Sequence, residues 1–83
     1  MVERRNGMET IVKILTGIRP EFNFYTESNF IENGILDSFD LVMLVSALDE
    51  KFDIKIRGSD ILPENFSDVH SIQSLVERYG GAV

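Results

Sequence analysis

The chain has 83 residues, 43% of them apolar and six of them phenylalanine, which is enough for one small globular domain and too apolar for disorder. It contains no cysteine, which excludes a disulfide framework and thiolate metal sites. Fourteen acidic residues against eight basic ones leave a formal charge of −6, which argues against nucleic acid, whose phosphates are met by Lys and Arg.

A single domain over residues 1–83 is expected, with its core over about 3–80 and residues 81–83 frayed. The segment Met1–Gly7 is polar and charged with no apolar signal region behind it, and no run approaches a membrane span, so a cytoplasmic protein is expected. Met8, Ile11, Val12, Leu15 and Ile18 follow the spacing of one helical face and predict a helix over residues 3–18, stopped by Pro20. Residues 19–37 then form a long connection that is not simply polar. Phe22, Phe24, Phe30, Ile31, Ile35 and Leu36 are spread along it, so it is expected to pack over the helices, with a turn around Ser28–Glu32.

A second helix is predicted over Ser38–Phe52, with Leu41, Leu44, Val45, Leu48 and Phe52 on its buried face. Asp37 or Ser38 suits the cap, Asp40 complements the helix dipole in the first turn, and Lys51 does so in the last. Ile54 and Ile56 alternate with Lys55 and Arg57, but one such run has no partner strand, so an extended connector is expected. Ser59–Leu62, before Pro63, fits one helical turn. The last helix opens near Ser67 or Asp68, carries Val69, Ile72, Leu75, Val76 and Tyr79 on one face, and ends at Gly80 and Gly81. The expected fold is all-α, a bundle of three main helices plus one short one around a single core.

Ser38 stands where a turn-rich loop becomes a helix, beside free backbone N–H groups that favour attached or bound phosphate. As a nucleophile it would need a base and an orienting group, and His70 is the chain's one histidine. His70 reads as a surface or packing residue, and the chain is too small to enclose an ordinary substrate pocket. Asp37, Asp40, Asp49, Glu50 and Asp53 lack the pattern of a calcium loop, so no metal site is expected. Ser38 therefore reads as a residue that is modified, in a protein that is not an enzyme. Away from the buried face of the second helix, Phe39, Val42, Met43 and Ser46 form another partly apolar stripe, which suits docking of partner proteins. Asp37, Asp40, Asp49 and Glu50 flank it and would steer a basic groove toward it. The alternatives are that Phe39 completes the core and that the acidity only keeps the domain soluble.

Gly34-Ile35-Leu36-Asp37-Ser38-Phe39-Asp40 resembles the Gly-x-x-Asp-Ser-Leu signature of acyl carrier proteins and the related peptidyl and D-alanyl carriers. The similarity runs on from Leu41 to Ile56 and more loosely to Tyr79. The resemblance implies that a phosphopantetheinyl transferase places the 4′-phosphopantetheine of coenzyme A covalently on Ser38, next to Asp37. The arm would hold acyl, aminoacyl or polyketide intermediates as thioesters and deliver them to ligases, synthases or transferases. Phe39, Asp40, Val42, Met43, Asp49 and Glu50 would be the docking residues, Ile35 and Leu36 would border the arm, and a monomer is the default. Phe39 stands where most fatty-acid carriers have Leu, and Met43 where they have a recognition glutamate. Lys51 interrupts the acidic run, and Arg57-Gly58-Ser59 replaces a more acidic connector. These departures point to a specialised carrier rather than the general fatty-acid one. The competing expectation is a carrier-like interaction module that works without the arm.

Overall fold

The computed structural model describes residues 7–81, an all-helical fold with no strand among the described residues. Three α-helices, α1 (Gly7–Ile18), α2 (Ser38–Phe52) and α3 (Val69–Arg78), surround one core. Helix α1 packs against both α2 and α3. It buries Ile11, Val12 and Leu15, the face that its apolar spacing predicted. The expected start of this helix at residue 3 lies outside the described residues.

Helix α2 has the predicted bounds and buries Leu44, Val45 and Leu48, while Leu41 and Phe52 are half-buried at the margin of the core. It ends where Asp53 adopts the left-handed conformation at φ 56°, and the N–H groups of Asp53 and Ile54 both donate to the Asp49 carbonyl. Helix α3 opens on Asp68, whose Oδ1 accepts the Ser71 N–H at 2.8 Å, and buries Val69, Ile72, Leu75 and Val76. Gly80, at φ 84°, closes it, and Gly81 donates its N–H to the Val76 carbonyl at 2.9 Å.

The long connection between α1 and α2 is built as part of the core. Phe24, Phe30, Ile35 and Leu36 are all buried, and the rings of Phe24 and Phe30 meet edge to face with centroids 5.2 Å apart. Burying each side chain of this size contributes about 1.5–3 kcal/mol, which offsets part of the backbone entropy lost in ordering the loop. The turn lies over residues 29–34. Asn33 donates its N–H to Asn29, and the Phe30 carbonyl accepts from both Ile35 and Leu36. Gly34 sits there at φ 71°, and an added Cβ would meet nothing within 4 Å, so glycine is required by the backbone conformation alone. Ile35 and Leu36 join the core, as expected of the apolar residues of this connection.

The connection between α2 and α3 differs from expectation in one respect. In place of one turn over Ser59–Leu62 there are two 3-10 turns, Gly58–Asp60 and Pro63–Phe66. Pro63 opens the second, since its fixed φ and missing N–H suit a first helical position as well as they stop a preceding one. The turn carries Phe66, fully buried, beneath α3. Tyr79 clips this connection to α3. Its hydroxyl donates to the Asp60 carboxylate and accepts the Arg57 N–H at 3.1 Å.

Candidate functional site

The start of α2 is shaped by a reciprocal cap. Asp37 Oδ1 accepts the Asp40 N–H at 2.9 Å, and Asp40 Oδ2 accepts the Asp37 N–H at 3.1 Å. Aspartate stabilises a helix start at either position, and together the two satisfy two backbone donors that the helix itself leaves unpaired. Asp37 therefore takes the cap that Ser38 was equally suited to take. Ser38 becomes the first residue of the helix, exposed, with no hydrogen-bond partner for its hydroxyl among the described residues. A free hydroxyl at the positive end of a 15-residue helix is a favourable place for an attached phosphoryl group.

The carboxylate of Asp40 is buried, with the residue only 4% exposed. A charge so placed is costly unless it is paired and hydrogen-bonded. Arg19, at the exit of α1 and 21 residues away in sequence, supplies the pairing. Its Nε and Nη2 both lie 2.9 Å from Asp40 Oδ2. The same Nη2 is 3.5 Å from Asp37 Oδ2, and Nη1 is 3.7 Å from Glu21 Oε2. Asp40's hydrogen bond and charge push the Arg19 guanidinium's pKa further up. The Asp37 carboxyl is held below the usual carboxylate range, first by the Asp40 N–H; desolvation opposes this and the charge of Arg19 assists it.

Arg19 is the residue that sequence reasoning passed over. The signal was present, because Arg19 is the lone basic residue between Lys13 and Lys51 in a stretch carrying Glu21, Glu27, Glu32, Asp37, Asp40, Asp49 and Glu50. Which of these acids it would meet depends on how the long connection folds back, and no periodicity reports that.

Phe39, Val42 and Met43 are 71%, 63% and 38% exposed, so the second stripe of α2 faces solvent and Phe39 does not complete the core. Exposed Ser46 continues it. The acids that flank the stripe in sequence divide into two groups. Asp37 and Glu50 are exposed, whereas Asp40 is buried and Asp49 half-buried. Asp40 pairs with Arg19, and Asp49 Oδ1 accepts the Ile56 N–H at 3.0 Å. Asp40 thus satisfies the Asp37 N–H at the start of α2, and Asp49 satisfies an N–H of the connector that follows the helix. Glu50 and Lys51 line a shallow groove with Ile14 and Ala47 between α1 and α2.

His70 is exposed on the first turn of α3, and no hydrogen bond joins it to Ser38 among the described residues. Among the same residues no three His, Cys, Asp or Glu side chains converge as a metal site would require, and no helix is long and apolar enough to cross a membrane.

No protein-family model matches the chain. It is 35% identical to an acyl carrier protein of Bdellovibrio bacteriovorus over 66 residues, covering 80% of this chain and 81% of that one. It is 29% identical to a D-alanyl carrier protein of Lactobacillus acidophilus over 76 residues, covering 92% and 94% of the two chains. Both relatives are carriers, and both align with most of this compact three-helix fold. The exposed serine at the head of α2 thus belongs to a carrier protein, and the chain is a member of the acyl carrier protein family.

Proposed function

We propose that Ser38 carries a covalent 4′-phosphopantetheine arm, and that the protein delivers cargo on it to partner enzymes in a specialised pathway. The observation that carries this reading is the division of labour at the start of α2. Asp37 caps the helix, which leaves the Ser38 hydroxyl exposed and unbonded at its positive end. That site fits the group. It offers an accessible oxygen for the phosphodiester, and Arg19 offsets the carboxylates at positions 37 and 40 on either side. In the transfer, Ser38 Oγ forms a bond to the pantetheine-side phosphorus of coenzyme A. The diphosphate bond breaks, adenosine 3′,5′-bisphosphate leaves, and the hydroxyl proton passes to a base of the phosphopantetheinyl transferase. When bound, the arm supplies a terminal thiol that holds acyl, aminoacyl or polyketide cargo as a thioester.

The protein's own residues then orient delivery. Phe39, Val42 and Met43 form an apolar docking stripe, with Asp37 and Glu50 as its exposed charges. An apolar stripe with so few free acids favours a dedicated partner over the strongly basic surfaces that an acidic helix would attract, which supports a specialised pathway. The protein acts as a cytoplasmic monomer and performs no catalysis itself.

Intact-mass measurement after incubation with coenzyme A and a promiscuous transferase is expected to show one phosphopantetheine added to the wild type and none to Ser38→Ala. No gain by the wild type with several such transferases overturns the proposal in favour of an interaction module that uses the stripe alone.

A further inference from the structure

We infer that Arg19 is a positioning residue for the modification at Ser38, acting through the buried Asp40 carboxylate. The inference rests on the carrier reading of Ser38 and deepens it. Asp37 and Asp40 bracket the serine in sequence, and the cap they share requires the Asp40 side chain to point inward toward the Asp37 N–H. A carboxylate that is only 4% exposed is held there because the Arg19 fork meets it with two N–H groups at 2.9 Å.

Without that fork, Asp40 regains solvation by rotating outward, and the Asp37 N–H loses its acceptor. The first turn of α2, which includes Ser38, is then no longer fixed. Ser38, Phe39 and Val42 are all exposed, so little burial on that side of the first turn compensates. The fork also keeps an incoming phosphate donor from facing two uncompensated carboxylates beside the serine. Arg19 does not serve as a ligand of that donor. Its Nε and Nη2 are already taken by Asp40, and Nη1 leans toward Glu21.

The test compares the wild type with Arg19→Gln, Asp40→Asn and the double variant, using a promiscuous transferase and coenzyme A. Asparagine keeps an acceptor for the Asp37 N–H but removes the charge that needs Arg19. Arg19→Gln is expected to lower kcat/KM for the carrier roughly tenfold, well within what an ångström-scale misplacement costs. Adding Asp40→Asn is expected to restore it toward the value of Asp40→Asn alone. Wild-type kinetics in Arg19→Gln, or a double variant no faster than Arg19→Gln, overturns the inference.

A second readout needs no transferase. Amide hydrogen exchange at Asp37 and Asp40 is expected to quicken in Arg19→Gln and to slow again in the double variant, and unchanged exchange overturns the inference as well. If the wild type takes no arm, the carrier reading of Ser38 falls while the exchange data still judge Arg19. If Arg19→Gln loses helicity by circular dichroism, Arg19→Lys, which keeps the charge but not the fork, replaces it in both measurements, with the same direction expected.

Discussion

Helices α2 and α3 both start on an aspartate that bonds the backbone N–H three residues on, Asp37 to Asp40 and Asp68 to Ser71. Beyond the cap the two helices differ. The first residue of α3 is Val69, buried at 4% exposure, whereas the first residue of α2 is Ser38, exposed to solvent. The third residue differs too. Ser71 lies 3.3 Å from the neighbouring Ser67 hydroxyl, while Asp40 reaches inward to an arginine at the exit of another helix. The contrast shows how one local device serves two ends. At α3, burial behind the cap holds the first turn in place. At α2 the first residue must stay outside, so order comes from the reciprocal cap and the Arg19 ion pair.

The largest effect that would separate the two helix starts is at their first residues. Val69→Ala is expected to cost about 2 kcal/mol in urea unfolding, as two buried carbon atoms and a partial cavity imply. Ser38→Ala should stay within about 0.5 kcal/mol, as for other exposed positions. Equal losses at both would break the contrast. The caps come next. Asp68→Ala is expected to lower stability by about 1 kcal/mol and leave arm attachment unchanged. Asp37→Ala is expected to lower stability as well and also to slow attachment. Transferase kinetics on the two variants check this, and an equal slowing in both would erase the distinction.

The smallest expected effect is in pH dependence. The folded Asp37 carboxyl titrates below its unfolded value, because the Asp40 N–H favours its ionised form. Its contribution to stability is therefore complete above the ordinary aspartate range, and it is lost as pH falls through that range toward the depressed folded value. Asp37→Asn should show a shallower acid limb in stability measured from pH 7 downward. An unchanged limb would mean that the cap at α2 carries no charge-dependent stability.

Much of the molecule is legible in its sequence. The bounds of α2, its buried face, the exposed stripe of Phe39, Val42 and Met43, and the singular position of Ser38 all come from short-range periodicity and capping chemistry. The signature around Ser38 also points to the family that the 35% identical relative establishes. The turn that Pro63 opens is not legible, because proline ends one turn and begins the next with equal ease. The turn that holds Ile35 and Leu36 is hidden as well: their packing is expected from their apolar character, but nothing local says that the Phe30 carbonyl gathers both of their N–H groups.

The amino-acid order by itself determined three amphipathic helices, a phenylalanine-studded connection and a serine at a helix start. These depend on neighbours within about four residues, where spacing and caps are sufficient. Only the tertiary structure decided which acids remain free. Asp40 and Asp49 look like surface charges in the chain, yet one is claimed by Arg19 from across the fold and the other by the Ile56 N–H. A carboxylate's role depends on the donor it meets. For Asp40 that donor is brought near only when the long connection folds back on its buried aromatic rings.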